Sequence, residues 1–345
     1  FLFGASMLLV IEQANAKSEN ARQIHYRRMF WLLIFGLIHL YLIWWGDILS
    51  HYALIGMVAW FFRNKPVPSL IKWGIGLLVV EMILMSLLGS SFVMMSMKAS
   101  DPNASAEALR QWQEMQGNFG VLAPAKLAEN LALYDGNYAG IAAHRLETWF
   151  SPLIMIGFVG WETLAYFLFG MAAYKSGFLT GQWDRARYKR WMLMGYAISI
   201  PAFAILAWIN IAAEFDTATV AVVGLAGATP FRPAMIIAHA ALIILLTAGG
   251  GALVGRIAAA GRAAFTNYIG TSILMTTFFY GYGLSYYGDM GRAEVYLVVL
   301  AMWAVILLWS KPWLDRYRYG PLEWLWRTLA RGSVQPLRKD APAAA

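Results

Sequence analysis

The 345-residue chain is 60% hydrophobic and only 13% charged, and it contains no cysteine. Because soluble domains carry about 25% charged residues, this composition excludes an ordinary water-soluble enzyme and predicts a polytopic membrane protein. The lack of cysteine excludes disulfides, thiolate nucleophiles and cysteine-ligated metal sites within this sequence. The formal net charge of +8 is typical of cytoplasmic loops that face anionic lipid, so nucleic acid is not expected as a partner.

Apolar runs define the predicted membrane spans, because a bilayer core of about 30 Å needs about 20 mostly apolar residues per helix. Gly46 and Asp47 separate two short runs, which predicts a tight helical hairpin. The first run begins at Phe1 and is about half as long as a span, so we expect part of this helix to lie upstream. The predicted fold class is an all-α transmembrane bundle with nine spans, at about residues 1–12, 29–45, 47–62, 70–95, 152–174, 191–213, 233–254, 263–284 and 293–310.

The distribution of basic residues predicts the orientation of these spans, since Lys and Arg are retained on the cytoplasmic side. One assignment of the loops places 21 of the 27 Lys and Arg residues inside and leaves six outside, and successive helices alternate throughout. This assignment predicts a cytoplasmic C-terminus. Its inner segments are residues 13–28, 63–72, 175–190, 255–262 and 311–345.

The predicted spans, together with the long segment 98–151 between two of them, divide the chain into five regions. The long segment contains an amphipathic stretch around Trp112 and a second helix opened by Pro124, and it forms either an outer cap or helices lying on the membrane surface. The predicted regions are N-terminal transmembrane helices at 1–97, an extracytoplasmic insertion at 98–151, transmembrane helices at 152–310, a cytoplasmic interfacial helix at 311–339 and a disordered tail at 340–345.

Ionisable residues inside apolar segments are candidates for function, because burying a charge in a bilayer is costly. His39 can act as a general base, as a proton relay or as a hydrogen-bonded packing residue. Asp47 lies eight residues away, about 12 Å along one helix, so contact between the two requires the hairpin to fold back. If the helix is continuous, His51 is the better-placed partner of Asp47.

Other polar residues in the spans favour structural roles. Glu81 and Glu162 have no cation in their own spans, so we expect partners on other helices. Asn210 and Asn267 are interpreted as hydrogen-bonding contacts between helices. No phosphate loop, zinc-binding His pair or nucleophile elbow occurs, and one pair of His residues is insufficient for haem.

Four sequence motifs, in order along almost the whole chain, resemble the YeiB-like family of bacterial inner-membrane proteins. The N-terminal residues Phe1–Gly4 also resemble the end of that family's second helix, which implies that a helix and a half precedes this chain. The motifs are GLIH at 36–39, GDILSHYALIG at 46–56, GRAAFTNY at 261–268 and GPLEWLWR at 320–327.

The resemblance implies a function, because this family is similar in overall plan to transmembrane acyltransferases, including the lysosomal enzyme that acetylates heparan glucosamine. Such enzymes pass an acyl group from cytosolic acyl-CoA to an acceptor across the membrane. The resemblance implies that relatives place a Leu-Asp-x-x-Arg-Gly helix, followed in the acyltransferases by a catalytic histidine, upstream of the position of Phe1. No catalytic residue is therefore carried over from the family, and His39 and Asp47 are catalytic candidates on their own chemistry. The candidate residues for binding substrate or cosubstrate are His51, Arg262, Asn267, Tyr268, Glu323 and Arg327.

No firmly bound cofactor and no metal is expected, and acyl-CoA is the predicted cosubstrate. The expected partners are the lipid bilayer and either a membrane protein or a second copy of the chain. The alternative function is a non-catalytic membrane subunit or a small-molecule transporter, in which His39, Asp47, Glu81 and Glu162 relay protons or hold a polar passage open.

Overall fold

The computed structural model describes residues 1–119, 123–147 and 152–339, and the regular elements in these residues are helices. Parts of the predicted insertion and the predicted disordered tail at 340–345 therefore lie outside the described residues. The α-helices are α1 Leu2–Ala16, α2 Ala21–Ile38, α3 Leu49–Ala59, α4 Val67–Ala99, α5 Ala106–Phe119, α6 Pro124–Tyr134, α7 Tyr138–Glu147, α8 Pro152–Lys175, α9 Arg185–Ala212, α10 Thr217–Val222, α11 Arg232–Thr247, α12 Ala252–Arg262, α13 Ala264–Phe279, α14 Arg292–Arg316 and α15 Pro321–Arg331.

The helix lengths support a membrane protein, but the prediction of nine spans is not confirmed. Within the described ranges, five helices are long and apolar enough to cross a membrane, or six if a bent pair at Thr217–Gly227 and Arg232–Thr247 counts as one span. The predicted span at 47–62 is the helical stretch Leu49–Phe62, which at 1.5 Å per residue is about 21 Å long and shorter than the hydrocarbon core.

The chain divides into two compact units, and each is built from segments that are distant in sequence. The first unit contains Phe1–Leu9, Val58–Ala128 and Leu153–Ala248. In it, α9 packs against α11 at Gly195, where an added Cβ would lie 2.6 Å from the carbonyl oxygen of Ala234. A glycine is required there because the two helix backbones approach so closely.

Glu162 in the first unit has the cross-helix partner expected for it. The Arg232 guanidinium, at the start of α11, donates to both carboxylate oxygens of Glu162 at 2.9 Å. The Tyr166 hydroxyl donates to the same carboxylate at 2.7 Å. Glu81 is 1% exposed, and its Oε2 has no hydrogen-bond partner in the described residues. Asn210 is expected to hydrogen-bond to a neighbouring helix, but its side-chain oxygen has no hydrogen-bond partner among the described residues.

The second unit contains Val10–Met57, Glu129–Pro152 and Gly249–Ala345. The predicted C-terminal helix is α15, which begins at Pro321 and ends at Gly332, whose φ of 69° is left-handed. This helix packs against α2, where the Trp326 indole N–H donates to the carbonyl of Arg28 at 2.8 Å. The Arg28 guanidinium also lies 4.3 Å from the centre of the Trp326 ring, a cation–π contact that joins α2 and α15.

Candidate functional site

The hairpin after α2, in the second unit, carries the hydrogen-bonded side chains of His39, Asp47 and Ser50. The α-helical part of this segment ends at Ile38, and one π-helical turn follows directly at His39–Ile43. Trp44 is then extended, and α3 begins at Leu49. The helix is therefore not continuous between His39 and His51. The condition under which His51 would be the better-placed partner of Asp47 is therefore not met, and one Asp47 carboxylate oxygen lies beside Nδ1 of His39 instead.

Asp47 and His39 form a buried hydrogen-bonded pair. Oδ1 of Asp47 lies 3.0 Å from Nδ1 of His39, and both side chains are 0% exposed. The other carboxylate oxygen, Oδ2, accepts from the backbone N–H of Ser50 at 2.8 Å and from its hydroxyl at 2.6 Å. Asp47 thus satisfies a donor at the start of α3, where the first backbone N–H groups of the helix have no intrahelical partner.

Ser272 of α13 completes the arrangement, with its Oγ 2.8 Å from Nε2 of His39. A carboxylate can only accept hydrogen bonds, so the His39 tautomer that matches this geometry carries its proton on Nδ1 and leaves Nε2 as the acceptor. The single proton of the Ser272 hydroxyl then has two acceptors within reach, Nε2 at 2.8 Å and the backbone carbonyl of Tyr268 at 3.3 Å, and Nε2 is the nearer. Ser272 could not be singled out by sequence reasoning, because a serine in an apolar helix is common and its partner lies 233 residues away.

Tyr268, one turn before Ser272 on α13, holds the turn that carries Asp47. Its hydroxyl accepts from the backbone N–H of Ile48 at 3.2 Å and donates to the carbonyl of Gly46 at 3.3 Å. Its ring centre lies 4.9 Å from that of His39. Tyr268, predicted as a binding residue, thus bonds to the backbone on both sides of Asp47.

Helix α7 stabilises the π-helical turn from the other side. The end of a helix leaves carbonyl groups without intrahelical partners, and these must be satisfied if they are buried. The Tyr138 hydroxyl donates to the carbonyl of Leu42 at 2.9 Å, and the Arg145 guanidinium donates to that of Ile43 at 2.9 Å. The end of the turn is therefore held by α7, which sequence reasoning did not connect to His39.

A cavity of about 490 Å³, lined mainly by aromatic and aliphatic residues, opens beside Ser272. Ser272 is 8% exposed and is one of the residues that line this cavity. Three polar side chains contribute to the wall, and the remainder is apolar or aromatic, which suits a hydrophobic group with one polar end. The lining residues are Trp44, Trp45, Thr271, Ser272, Met275, Thr276, Phe279, Tyr280, Tyr286, Tyr287, Gly288, Met290 and Val295.

Glu323 lies in a second polar cluster, at the N-terminus of α13. Its Oε1 accepts from the backbone N–H groups of Phe265 and Thr266 at 2.6 and 3.1 Å, and its Oε2 accepts from the Thr266 hydroxyl at 2.6 Å. A carboxylate is favoured there because the first N–H groups of a helix lack partners. The GRAAFTNY and GPLEWLWR motifs therefore form one structural element.

Three of the remaining candidates, Asn267, Arg262 and Arg327, lie near this cluster rather than near His39. Asn267 donates to the Ala260 carbonyl at 2.9 Å and accepts from the Trp309 indole at 2.9 Å, which is the contact between helices that the sequence predicts. Arg262 is exposed at the end of α12. The Arg327 guanidinium lies 4.6 Å from the Tyr319 ring centre, and burial is the main cause that lowers the pKa of Arg327 from its usual value. His51 is buried near the start of α3.

The site combines an imidazole base, a carboxylate that orients it and a neighbouring hydroxyl. The described part of the chain holds no group of three or more His, Asp or Glu side chains that could bind a metal. The Asp47, His39 and Ser272 side chains are linked in series by two hydrogen bonds, the arrangement used in enzymes for general-base activation of a hydroxyl.

Comparisons with known proteins place the chain in a family. Residues 173–333 match the family model described as a protein of unknown function (DUF418). The chain is 30% identical to uncharacterized protein YxaH of Bacillus subtilis (strain 168), covering 98% of this chain and 79% of that protein. It is 31% identical to uncharacterized protein YeiB of Escherichia coli (strain K12), covering 97% of this chain and 81% of that protein. No solved structure matches significantly. This similarity over nearly the full length shows that the chain belongs to the YeiB-like family.

Proposed function

We propose that this chain is a membrane-embedded acyltransferase, which moves an acyl group from cytosolic acyl-CoA to a hydroxyl-bearing acceptor on the envelope side of a bacterial inner membrane. The observation that carries the proposal is the series Asp47, His39 and Ser272 at the wall of a hydrophobic cavity. The Asp47 carboxylate orients His39 so that Nε2, which faces the Ser272 hydroxyl at 2.8 Å, is the nitrogen that takes a proton from a hydroxyl group.

The chemistry of the transfer needs one base and no redox partner. His39 accepts the proton of the attacking hydroxyl, the new C–O bond forms at the acyl carbon, and the C–S bond of the thioester breaks. The same proton passes from His39 to the departing sulfur, so free CoA and an ester are the products. The cavity beside Ser272 would hold the acyl chain, because its wall is mainly aromatic and apolar.

The basic residues near the N-terminus of α13 suit the phosphates of acyl-CoA. Arg262 and Arg327 offer guanidinium groups, which bind phosphate oxygens in a bidentate manner. α13 runs from this end to the base, and the six residues from Thr266 to Ser272 correspond to about 9 Å along the helix. Asn267, Tyr268 and Glu323 position the two ends of this path, and His51 is a further candidate for contact with the substrate.

The proposed enzyme crosses the membrane nine times and has its C-terminus in the cytoplasm. The distribution of Lys and Arg supports nine spans with the C-terminus in the cytoplasm, the short helices α1, α3, α11 and α13 counting as spans or parts of spans. The apolar helices support a bilayer as the surroundings. A membrane-protein partner or a second copy of the chain remains a prediction.

The test is release of CoA thiol by the purified protein in lipid nanodiscs. A thiol reagent detects the released CoA without a background signal from the protein, because the sequence has no cysteine. We expect turnover with at least one acyl-CoA from a set of increasing chain length, and a loss of about 100-fold or more in His39→Gln.

The matched control is His25→Gln. His25 is buried like His39, and its Nε2 contacts the Gly56 carbonyl at 3.0 Å, away from the Asp47 pair. This variant should keep CoA release within about threefold of the unmodified chain if the loss in His39→Gln is chemical. Equal CoA release by the unmodified chain and His39→Gln, or binding of no acyl-CoA by the folded protein, would overturn the proposed function.

A second candidate function is a proton-relaying or transporting membrane protein. Buried Glu81 and the Glu162–Arg232 pair in the first unit favour it, because charged groups among apolar helices are typical of ion pathways. Proton flux into liposomes that contain the protein, measured with a pH-sensitive dye, tests this candidate. Glu81→Gln should abolish flux if the candidate is correct, and flux equal to that of empty liposomes would exclude it.

A further inference from the structure

The surroundings of His39 restrict which hydroxyl it can activate. The imidazole is 0% exposed, and both of its nitrogens are engaged, Nδ1 by Asp47 and Nε2 by Ser272. An acceptor hydroxyl from outside could reach Nε2 only by displacing Ser272 from a 2.8 Å hydrogen bond. The hydroxyl in place for deprotonation is therefore that of the protein itself.

We infer that Ser272 is the nucleophile of a two-step transfer and carries the acyl group as an ester between the two half-reactions. The inference rests on the proposed function, and it adds a covalent intermediate that the proposed function does not require. Its basis is the series of two hydrogen bonds together with the position of Ser272 in the cavity wall.

The first half-reaction begins with the Ser272 hydroxyl. Its proton moves to Nε2 of His39 as Oγ attacks the thioester carbonyl carbon, and Asp47 stabilises the resulting imidazolium. The C–S bond breaks, and the proton on Nε2 passes to the sulfur, so CoA leaves as a thiol. The products are free CoA and an ester at Oγ of Ser272.

The second half-reaction restores the enzyme. Once CoA has left and Oγ is acylated, Ser272 no longer has a proton to donate, and Nε2 of His39 is available to an acceptor hydroxyl. His39 takes the acceptor proton, the acceptor oxygen attacks the ester carbon, and the Oγ–acyl bond breaks. The proton then returns from Nε2 to Oγ of Ser272, so the atoms and charges balance over the cycle.

The structure supports an acyl group with a hydrocarbon chain as the substrate class. The cavity of about 490 Å³ beside Oγ is lined by Trp44, Met275, Phe279 and Tyr287 among others. An acyl chain attached to Ser272 would contact these side chains and bury apolar surface, at about 25 cal/mol per Å².

The experiment is to incubate the full chain in nanodiscs with acyl-CoA in the absence of acceptor, and to measure both free CoA and the intact mass. We expect one equivalent of CoA to be released in a burst and the mass to increase by one acyl group, located by peptide mapping to Ser272. Ser272→Ala should lack the adduct and release CoA at least about 100-fold more slowly.

Two variants keep the result interpretable. Ser272→Cys introduces the only thiol of the chain, so an adduct that neutral hydroxylamine removes locates the acyl group at position 272. Ser199→Ala is the matched control, because Ser199 is also buried in an apolar helix and its hydroxyl donates to the carbonyl four residues earlier, at 2.7 Å. This control should retain both the burst and the adduct.

The possible failures are distinguishable. If the unmodified chain releases CoA and Ser272→Ala does so within about threefold of that rate, transfer is direct and the inference is wrong while the proposed function stands. If the unmodified chain acquires no adduct without acceptor but releases CoA once hydroxyl-bearing envelope lipids are supplied, the inference alone is wrong. If it releases no CoA in either condition, the proposed function is wrong and the inference fails with it.

Discussion

The carboxylate of Asp47 lies 3.0 Å from Nδ1 of His39, although eight residues separate them along the chain. A π-helical turn followed by extended Trp44 makes this contact possible, because it ends the helix one turn after His39. The contact turns an isolated buried histidine into an oriented base, and it is the structural reason for assigning chemistry to the second unit.

Asp47→Asn should reduce CoA release by about 100- to 10,000-fold. An amide can donate to Nδ1 of His39, and the proton then moves to Nε2, which becomes a donor and can no longer accept a proton from Ser272. The measurement is the rate of CoA release in nanodiscs. Ser50→Ala is the comparison, since it removes one hydroxyl bond to Oδ2 but retains the bond from the Ser50 backbone N–H at 2.8 Å. A loss in Asp47→Asn no greater than that in Ser50→Ala would contradict the assigned tautomer.

Gly36→Ala should destabilise the hairpin and lower activity together. A Cβ at Gly36 would overlap the backbone N and Cα of Ser50, and that backbone bonds to Asp47. Forcing the two helices apart costs about 1 to 3 kcal/mol, which should appear as a lower apparent unfolding temperature in detergent.

Gly76→Ala is the control for this prediction. Gly76 is helical, and a Cβ there meets nothing within 4 Å. This change should stabilise α4 by about 0.5 to 1 kcal/mol through the higher helix propensity of alanine. If both alanine variants unfold at the same temperature as the unmodified chain, the close contact between Gly36 and Ser50 is not present in solution.

Glu323→Gln should weaken the junction of α13 and α15. The carboxylate accepts from two backbone N–H groups and from the Thr266 hydroxyl, and the neutral amide loses the charge and one acceptor. We expect a loss of about 1 to 2 kcal/mol in the free energy of unfolding. Glu294→Gln is matched to it, because Glu294 accepts from the Gly291 N–H at 2.7 Å at an exposed helix start. An equal loss in the two variants would show that burial of Glu323 adds nothing.

Composition and apolar runs were sufficient to predict an all-helical membrane protein, because both depend on local sequence. The break at Gly46 and Asp47 was also predictable, since it separates two apolar runs. The number of spans was not confirmed, because apolar runs such as 233–254 are divided by Gly249–Gly251 into helices too short to count as spans by length. Hydropathy averages over such breaks and therefore overestimates helix length.

The site was predictable in its parts but not in its arrangement. His39 and Asp47 stood out because ionisable residues are rare in apolar segments. Their contact was not predictable, since nothing in the residues 39–43 indicates a π-helical turn. Ser272 was missed because the hydrogen bond to His39 spans 233 residues, and a serine side chain carries no signal of such a partner.

The Glu162–Arg232 pair offers a prediction for the first unit. Removing either partner alone leaves a partly buried charge without compensation, so Glu162→Gln and Arg232→Met should each lower the free energy of unfolding by about 1 to 3 kcal/mol. The double variant should lose less than the sum of the two, by about 1 kcal/mol or more, because both oxygens of Glu162 bond to Arg232 at 2.9 Å.

The exposed Lys311–Asp315 pair on α14 is the matched comparison for this cycle. Its two bonds are also 2.9 Å long, but its side chains are 41% and 56% exposed, against 35% for Arg232 and 13% for Glu162. Water screens the exposed pair, so Lys311→Met with Asp315→Asn should show coupling of about 0.5 kcal/mol or less. Denaturant unfolding of all variants in one detergent gives both couplings. The hydrogen bonds of the two pairs have the same length, so a larger coupling energy for Glu162–Arg232 is attributed to its lower exposure. Equal coupling energies would mean that water reaches Glu162 as freely as it reaches Asp315.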